Sequence, residues 1–199
     1  GIVRPTHEIF NGRVTQIDNP SGISNHATHV AGTLVGNDNV QAGDVRGMAS
    51  QASLQANDFN GDFPEMLQQA SDGLLVSNHS YGFGADNLPL YFFGAYDETS
   101  AELDELLFNL PFYTMVCSAG NDRNDGHNPD DNGYDLLTDR SCAKNNITVA
   151  AVNEVTDYQN NFSVQMSSFS SWGPTDDGRV KPDISAKGVS TRSSTGGSD

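Results

Sequence analysis

Asn25-His26-Ala27-Thr28-His29-Val30-Ala31-Gly32-Thr33 places two histidines three residues apart and closes on small residues. That spacing predicts a helix over residues 26–34 that starts at a site and packs closely through Ala31 and Gly32. Working outward, apolar stretches at residues 52–56, 74–77, 113–118 and 147–152 are short and bounded by turn residues, as buried parallel strands are. Two more helix-like segments lie between them. Residues 64–72 begin on Pro64, and residues 100–110 set Leu103, Leu106, Leu107 and Leu110 on one face. The alternation predicts a doubly wound α/β fold with a mostly parallel sheet and right-handed crossovers, in which sites gather at the carboxyl ends of the strands.

The 199 residues suffice for one domain that buries about 70% of the surface its unfolded chain would expose. No repeat and no internal linker divides them. Hydrophobic residues make up 36% of the chain, and no apolar run approaches the roughly 20 residues of a membrane span. Twenty-six acidic residues oppose ten basic ones, a formal charge of -16, with 20 Asp and only three Lys. This balance argues against nucleic acid as a partner. It suits a secreted protein that stays soluble in salt or holds cations, and it equally suits a merely solvated acidic face. No n-region, h-region and cleavage site open these residues, so any targeting segment is expected to lie outside them. The two cysteines, Cys117 and Cys142, lack metal-ligand spacing and either pair or stay reduced; Cys117, ending an apolar run, reads as a buried thiol.

Three stretches carry candidate chemistry. His26 and His29 share a helix face, which suits a metal pair, although no third ligand of matching spacing follows. A general base is the second reading, and a structural histidine the third for each taken singly. Cys117-Ser118-Ala119-Gly120-Asn121 ends a predicted strand, where the Asn carboxamide either donates to a developing oxyanion or simply makes a turn. Ser77-Asn78-His79-Ser80-Tyr81-Gly82-Phe83-Gly84 runs from a strand into Gly-rich backbone that a ligand approaches closely, or into an ordinary loop. The loop over residues 121–140 holds Asp122, Asp125, Asp130, Asp131, Asp135 and Asp139. It fails the EF-hand spacing, because Gly126 follows Asp122 by four positions, and reads as a solvated acidic loop or an extracellular calcium-binding element.

In this order the segments resemble the subtilisin-like serine proteases, or subtilases. His26-Ala27-Thr28-His29-Val30-Ala31-Gly32-Thr33 is similar to that family's histidine motif, Ser80-Tyr81-Gly82 to its substrate-binding strand, and Ser118-Ala119-Gly120-Asn121 to its oxyanion motif. Residues 144–152 resemble the strand that follows. Ser168-Phe169-Ser170-Ser171-Trp172-Gly173-Pro174 and Lys181-Pro182-Asp183-Ile184 resemble the run toward the nucleophile. The resemblance implies a three-layer fold of the subtilisin type and peptide-bond hydrolysis through an acyl-enzyme. It implies His26 as general base, Asn121 as oxyanion donor and His29 as a packing residue. Ser80, Tyr81 and Gly82 would pair with an extended substrate, and Ser118, Ala119 and Gly120 would line the pocket for the side chain before the scissile bond.

The family's triad order of Asp, His, Ser is incomplete here. No Asp-Ser/Thr-Gly-like motif precedes His26 and no Gly-Thr-Ser follows Pro182; Ser198 lacks that context. Residues 1–199 are therefore expected to be an internal portion of one catalytic domain, incomplete at both ends and inactive alone. A non-catalytic peptide-binding module of the same family is the alternative. Ala27 stands where the family has Gly, and Lys187 where relatives often have Pro. The chemistry requires no cofactor. A structural calcium ion is a family expectation, but residues 36–46 lack the usual calcium-loop pattern and Ile9 sits near a position of a calcium-binding Asp. Its ligands are left unassigned, as is the oligomeric state; the expected partners are protein or peptide substrates.

Overall fold

The computed structural model describes residues 1–18, 22–37 and 45–197, without the side chain of Asn87. Part of the 36–46 loop, and Ser198, lie outside the described residues. The chain divides into two compact units, residues 1–62 with 190–199, and residues 63–189. All named strand pairs in both are parallel.

In the first unit, β1 (Val14–Gln16) pairs with β2 (Leu54–Ala56), and α1 (Asn25–Val35) contributes Ala31 and Val35 to a core with Val3, Ile9, Phe10 and Val14. Ile9, near the family's calcium position, is a buried core residue here. Ser24 caps α1, its hydroxyl accepting from Ala27 N at 3.1 Å, which satisfies one of the orphan donors of the first turn. The other end is satisfied by residues 47–49. Met48 N and Ala49 N donate to the carbonyls of Thr33 and Leu34 at 3.0 and 2.8 Å.

The sequence reading of Gly32 as a close-packing residue has a direct physical counterpart. Ser193 and Ser194 lie on the helix and donate their hydroxyls to the carbonyls of His29 and Thr28 at 2.8 and 2.9 Å. A β-carbon at Gly32 would sit 2.3 Å from each of those hydroxyl oxygens.

The second unit is a four-stranded sheet in the order β3 (Val76–His79), β4 (Thr114–Ser118), β5 (Ile147–Val152), β6 (Ile184–Lys187), with α2 (Asp62–Ser71) and α3 (Glu98–Asn109). Leu103 and Leu107 of α3, Met66 of α2 and Met115 and Cys117 of β4 form its main core, as the apolar stripe predicts. Asp97 caps α3 by accepting from Ser100 N at 2.9 Å. Asp104, on the helix and 8% exposed, accepts from the backbone of Lys144 and Asn145 and from Tyr96 Oη, so the approach to β5 is tied to α3.

The Lys181-Pro182-Asp183 run ties β5 to its neighbours. Lys181, 6% exposed, donates to Asp183 Oδ2 at 2.6 Å and to Asn146 Oδ1 at 3.0 Å. Asp183 Oδ2 in turn accepts from Thr148 N, and Asn146 Nδ2 donates to Cys117 Sγ on β4. A buried ammonium is tolerable only with such partners. Both cysteines are buried free thiols.

Strands were expected at 74–77 and 113–118, and form two residues later and one residue later at their starts; 147–152 agrees to the residue. The fold is α/β with parallel strand pairing, as expected; among the described residues the named strands form a two-stranded and a four-stranded sheet. Pro64 is the third residue of α2 and not its first. β1 and β6 were not read as strands at all. β1 has three residues and β6 is exposed at all four, so neither carries a burial pattern that periodicity detects.

Candidate active site

His26 is the second residue of α1 and is exposed, two residues after the serine cap. The neighbouring backbone is braced: Asn25 Oδ1 accepts from Gly196 N at 2.9 Å, and Arg4 N donates to Thr28 Oγ1 at 3.1 Å. His29 is half-buried, with Nε2 3.1 Å from the carbonyl oxygen of Thr191. It therefore packs within the first unit, in keeping with the role the family resemblance implies.

The remaining candidates meet in the second unit around a cavity of about 200 Å³. Residues 80–84 form one wall, residues 117–122 another and residues 138–141 a third. Ser80, Tyr81, Gly82, Ser118, Ala119, Gly120 and Asn121 are all on that lining. The walls come together because β3 and β4 are adjacent and end side by side, His79 opposite Cys117. The lining thus occupies the carboxyl ends of parallel strands, where α/β sheets hold their sites.

The turn after β4 is held from both faces. Ala119 N donates to Val149 O, Ser171 N to Gly120 O, and Asp122 N to Ser171 Oγ at 3.0 Å. Gly120 has φ +100°, and a β-carbon there would meet Ser171 Oγ at 3.0 Å and Asp122 Oδ2 at 3.2 Å, so glycine is required twice over. Asn121 follows it exposed, its backbone N–H 3.3 Å from Asp122 Oδ2. The Ser-Trp-Gly-Pro run contributes Ser171 as this brace.

The third wall was not foreseen. Thr138 and Ser141 exchange hydrogen bonds as a capping box, and Asp139 between them has φ +53° and is 2% exposed. Arg140 pairs with it, Nη1 to Oδ2 at 2.5 Å, and its guanidinium lies 5.5 Å from the ring centroids of Tyr81 and Phe63. In the sequence Asp139 reads only as one more acid of the loop. The detectable signal was the Thr-x-x-Ser spacing about it.

Of the other loop acids, Asp135 is partly buried, with Oδ1 lacking a hydrogen-bond partner among the described residues. Burial, and then the carboxylates of Asp176 and Asp131, push its carboxyl above the usual value of 3.8. No group of three or more His, Cys, Asp or Glu side chains is placed to hold a metal ion among the described residues. No helix among them is long and apolar enough to cross a membrane.

The profile of the Subtilase family (peptidase S8) matches residues 4–198. The chain belongs to the subtilase family. This subtilase chain is 24% identical to the serine protease/ABC transporter B family protein tagB of Dictyostelium discoideum, in an alignment covering 94% of the chain and 13% of that protein. It superposes on the prenylagaramide maturation protease PagA with a TM-score of 0.66 at 23% identity, over 98% of this chain and 63% of the other. The S41 psychrophilic protease gives a TM-score of 0.67 at 22% identity, over 97% and 65%. The chain thus spans about an eighth of the curated relative and under two-thirds of either solved structure, and the latter two establish its fold.

Proposed function

We propose that this subtilase chain forms part of the catalytic domain of a secreted serine endopeptidase that cleaves protein and peptide substrates through an acyl-enzyme. The carrying observation is the cavity at the ends of β3 and β4, whose two principal walls are the Ser-Tyr-Gly and Ser-Ala-Gly-Asn segments. In this reading, residues 80–82 pair with the extended substrate as an added strand, and residues 118–120 accept the side chain before the scissile bond. His26, as a neutral imidazole, takes the proton of a serine hydroxyl as that oxygen attacks the carbonyl carbon. The carboxamide of Asn121 donates to the oxyanion of the tetrahedral intermediate. His26 then returns the proton to the departing amine, and water hydrolyses the acyl-enzyme by the same route.

Residues 1–199 are one incomplete domain in this proposal, and alone they turn over no casein, since no Gly-Thr-Ser serine occurs in the sequence. A structural calcium ion is assigned no residues. Calcium takes six to eight oxygen ligands, and the acids of the described loop do not converge into such a set.

The test is labelling of the full-length protein by a fluorophosphonate probe. Labelling that is abolished or strongly slowed by His26→Ala is expected. Absence of labelling, or labelling indifferent to that substitution, overturns the peptidase reading. Peptide binding without labelling would instead support the non-catalytic module, which the cavity favours to the extent that it lies wholly within residues 63–189.

A further inference from the structure

Four polar side chains run in one hydrogen-bonded series from the core of the second unit to the cavity wall. Tyr113, 6% exposed and packed in the cluster of Leu103 and Met115, has its hydroxyl 2.5 Å from Ser77 Oγ. Ser77 Oγ is 2.7 Å from His79 Nε2, and His79 Nδ1 is 2.6 Å from Tyr81 Oη. Ser77 and His79 are two apart on β3 and so share a face. His79 is 7% exposed, whereas Tyr81 lines the cavity.

Each imidazole nitrogen faces a hydroxyl, which both donates and accepts, so the neutral ring is satisfied in either tautomer. On Tyr81, the His79 ring lies 5.5 Å away, and the Arg140 guanidinium is also 5.5 Å from the ring centroid. A tyrosine held this way does not have to be ordered when a ligand arrives, which lowers the cost of binding.

We infer that His79 is a positioning residue for substrate: anchored through Ser77 to Tyr113, it fixes the Tyr81 ring in the wall that receives the peptide. The inference rests on the peptide-binding reading of that wall. Because the ring is held before and throughout reaction, the effect falls on ground state and transition state alike. It therefore appears in KM and not in kcat.

The experiment compares His79→Leu, Tyr81→Phe, their double variant and His79→Asn in the full-length protein, using chromogenic peptides. The same variants are titrated with those peptides by fluorescence in a His26→Ala background, where binding is read without turnover. His79→Leu and Tyr81→Phe are each expected to raise KM and Kd about tenfold with kcat unchanged, as for loss of one hydrogen bond. The double variant is expected to be no worse than either single one. His79→Asn, whose carboxamide reaches the place of Nδ1, is expected to recover most of the loss. Additive effects, or a loss confined to kcat, overturn the inference. If His79→Leu does not fold, Tyr81→Phe, which removes only the oxygen hydrogen-bonded to His79, decides: a rise of about tenfold in KM and Kd at constant kcat supports the inference, and unchanged KM and Kd overturn it. Turnover absent with the Kd pattern intact overturns only the peptidase reading; peptide binding absent from the unsubstituted protein overturns both.

Discussion

Gly32 and Ser194 are in such close approach that a single added carbon on the first would lie 2.3 Å from the hydroxyl oxygen of the second and 3.1 Å from its backbone nitrogen. The serine hydroxyls there are not free to turn aside, because they bind helix carbonyls. Gly32→Ala is therefore expected to cost about 1–3 kcal/mol, the usual range for overpacking. Urea denaturation of the full-length protein measures it. A midpoint equal to that of the unsubstituted protein would show that residues 193–194 do not rest on α1.

Asn121 stands exposed after a glycine that only glycine can replace without strain, so removing its carboxamide should alter chemistry and leave the fold intact. Asn121→Ala is expected to lower kcat by on the order of 10²–10³ with little change in KM, the magnitude established for an oxyanion donor in a subtilisin and carried over here. Steady-state kinetics on the full-length protein separates the two parameters. A rise in KM alone would assign Asn121 to substrate binding and remove it from the oxyanion role.

Asp135 gives a pH-dependence of known sign. Its carboxyl is raised by burial and by Asp176 and Asp131, so between its ordinary value of 3.8 and the raised one the folded state holds more proton than the unfolded state. Stability from this group is present at low pH and is lost as pH rises through that window. Asp135→Asn, at a residue with φ +53° that asparagine tolerates well, is expected to raise Tm at pH 7. The gain should shrink as pH falls through the carboxylate range. A gain that grows on acidification would contradict the assignment.

The thiols are expected to be inert in the folded protein. Burial pushes Cys117 up and takes Cys142 up to about 12, so at pH 8 the thiolate fraction of Cys142 is on the order of 10⁻⁴. Iodoacetamide should modify neither cysteine in the native protein and both in guanidinium, as counted by mass spectrometry. Rapid native labelling of either would show that the barrier is not burial.

The helical and strand elements that position the site were legible wherever burial leaves a period in the sequence. Residues 147–152 alternate between intermediate and buried along β5 and were found to the residue, while α3 declared itself through Leu103 and Leu107. β3 was placed two residues early because Leu74 and Leu75 are apolar, although the strand is set by its register with β4. The cavity wall at Ser80-Tyr81-Gly82 and the turn at Asn121 are reached through the order of the motifs.

What supports those walls was not legible. Ser77 and His79 look like polar interruptions of a strand until Tyr113 of the neighbouring segment is seen against Ser77, and Ser77 against His79. Asp139 and Arg140 look like solvated charges until the fold buries the first and half-buries the second against it. In each case the partner is remote or the exposure is fixed by tertiary structure, and local pattern carries neither.

All three sides of the recess are drawn from residues 63–189, a contiguous stretch of chain. On the proposed peptidase reading, the surface that meets a peptide side chain would belong to this one stretch, and His26 would lie outside it. On that reading, grafting residues 63–189 between relatives would exchange preference as a block while leaving the proposed base untouched.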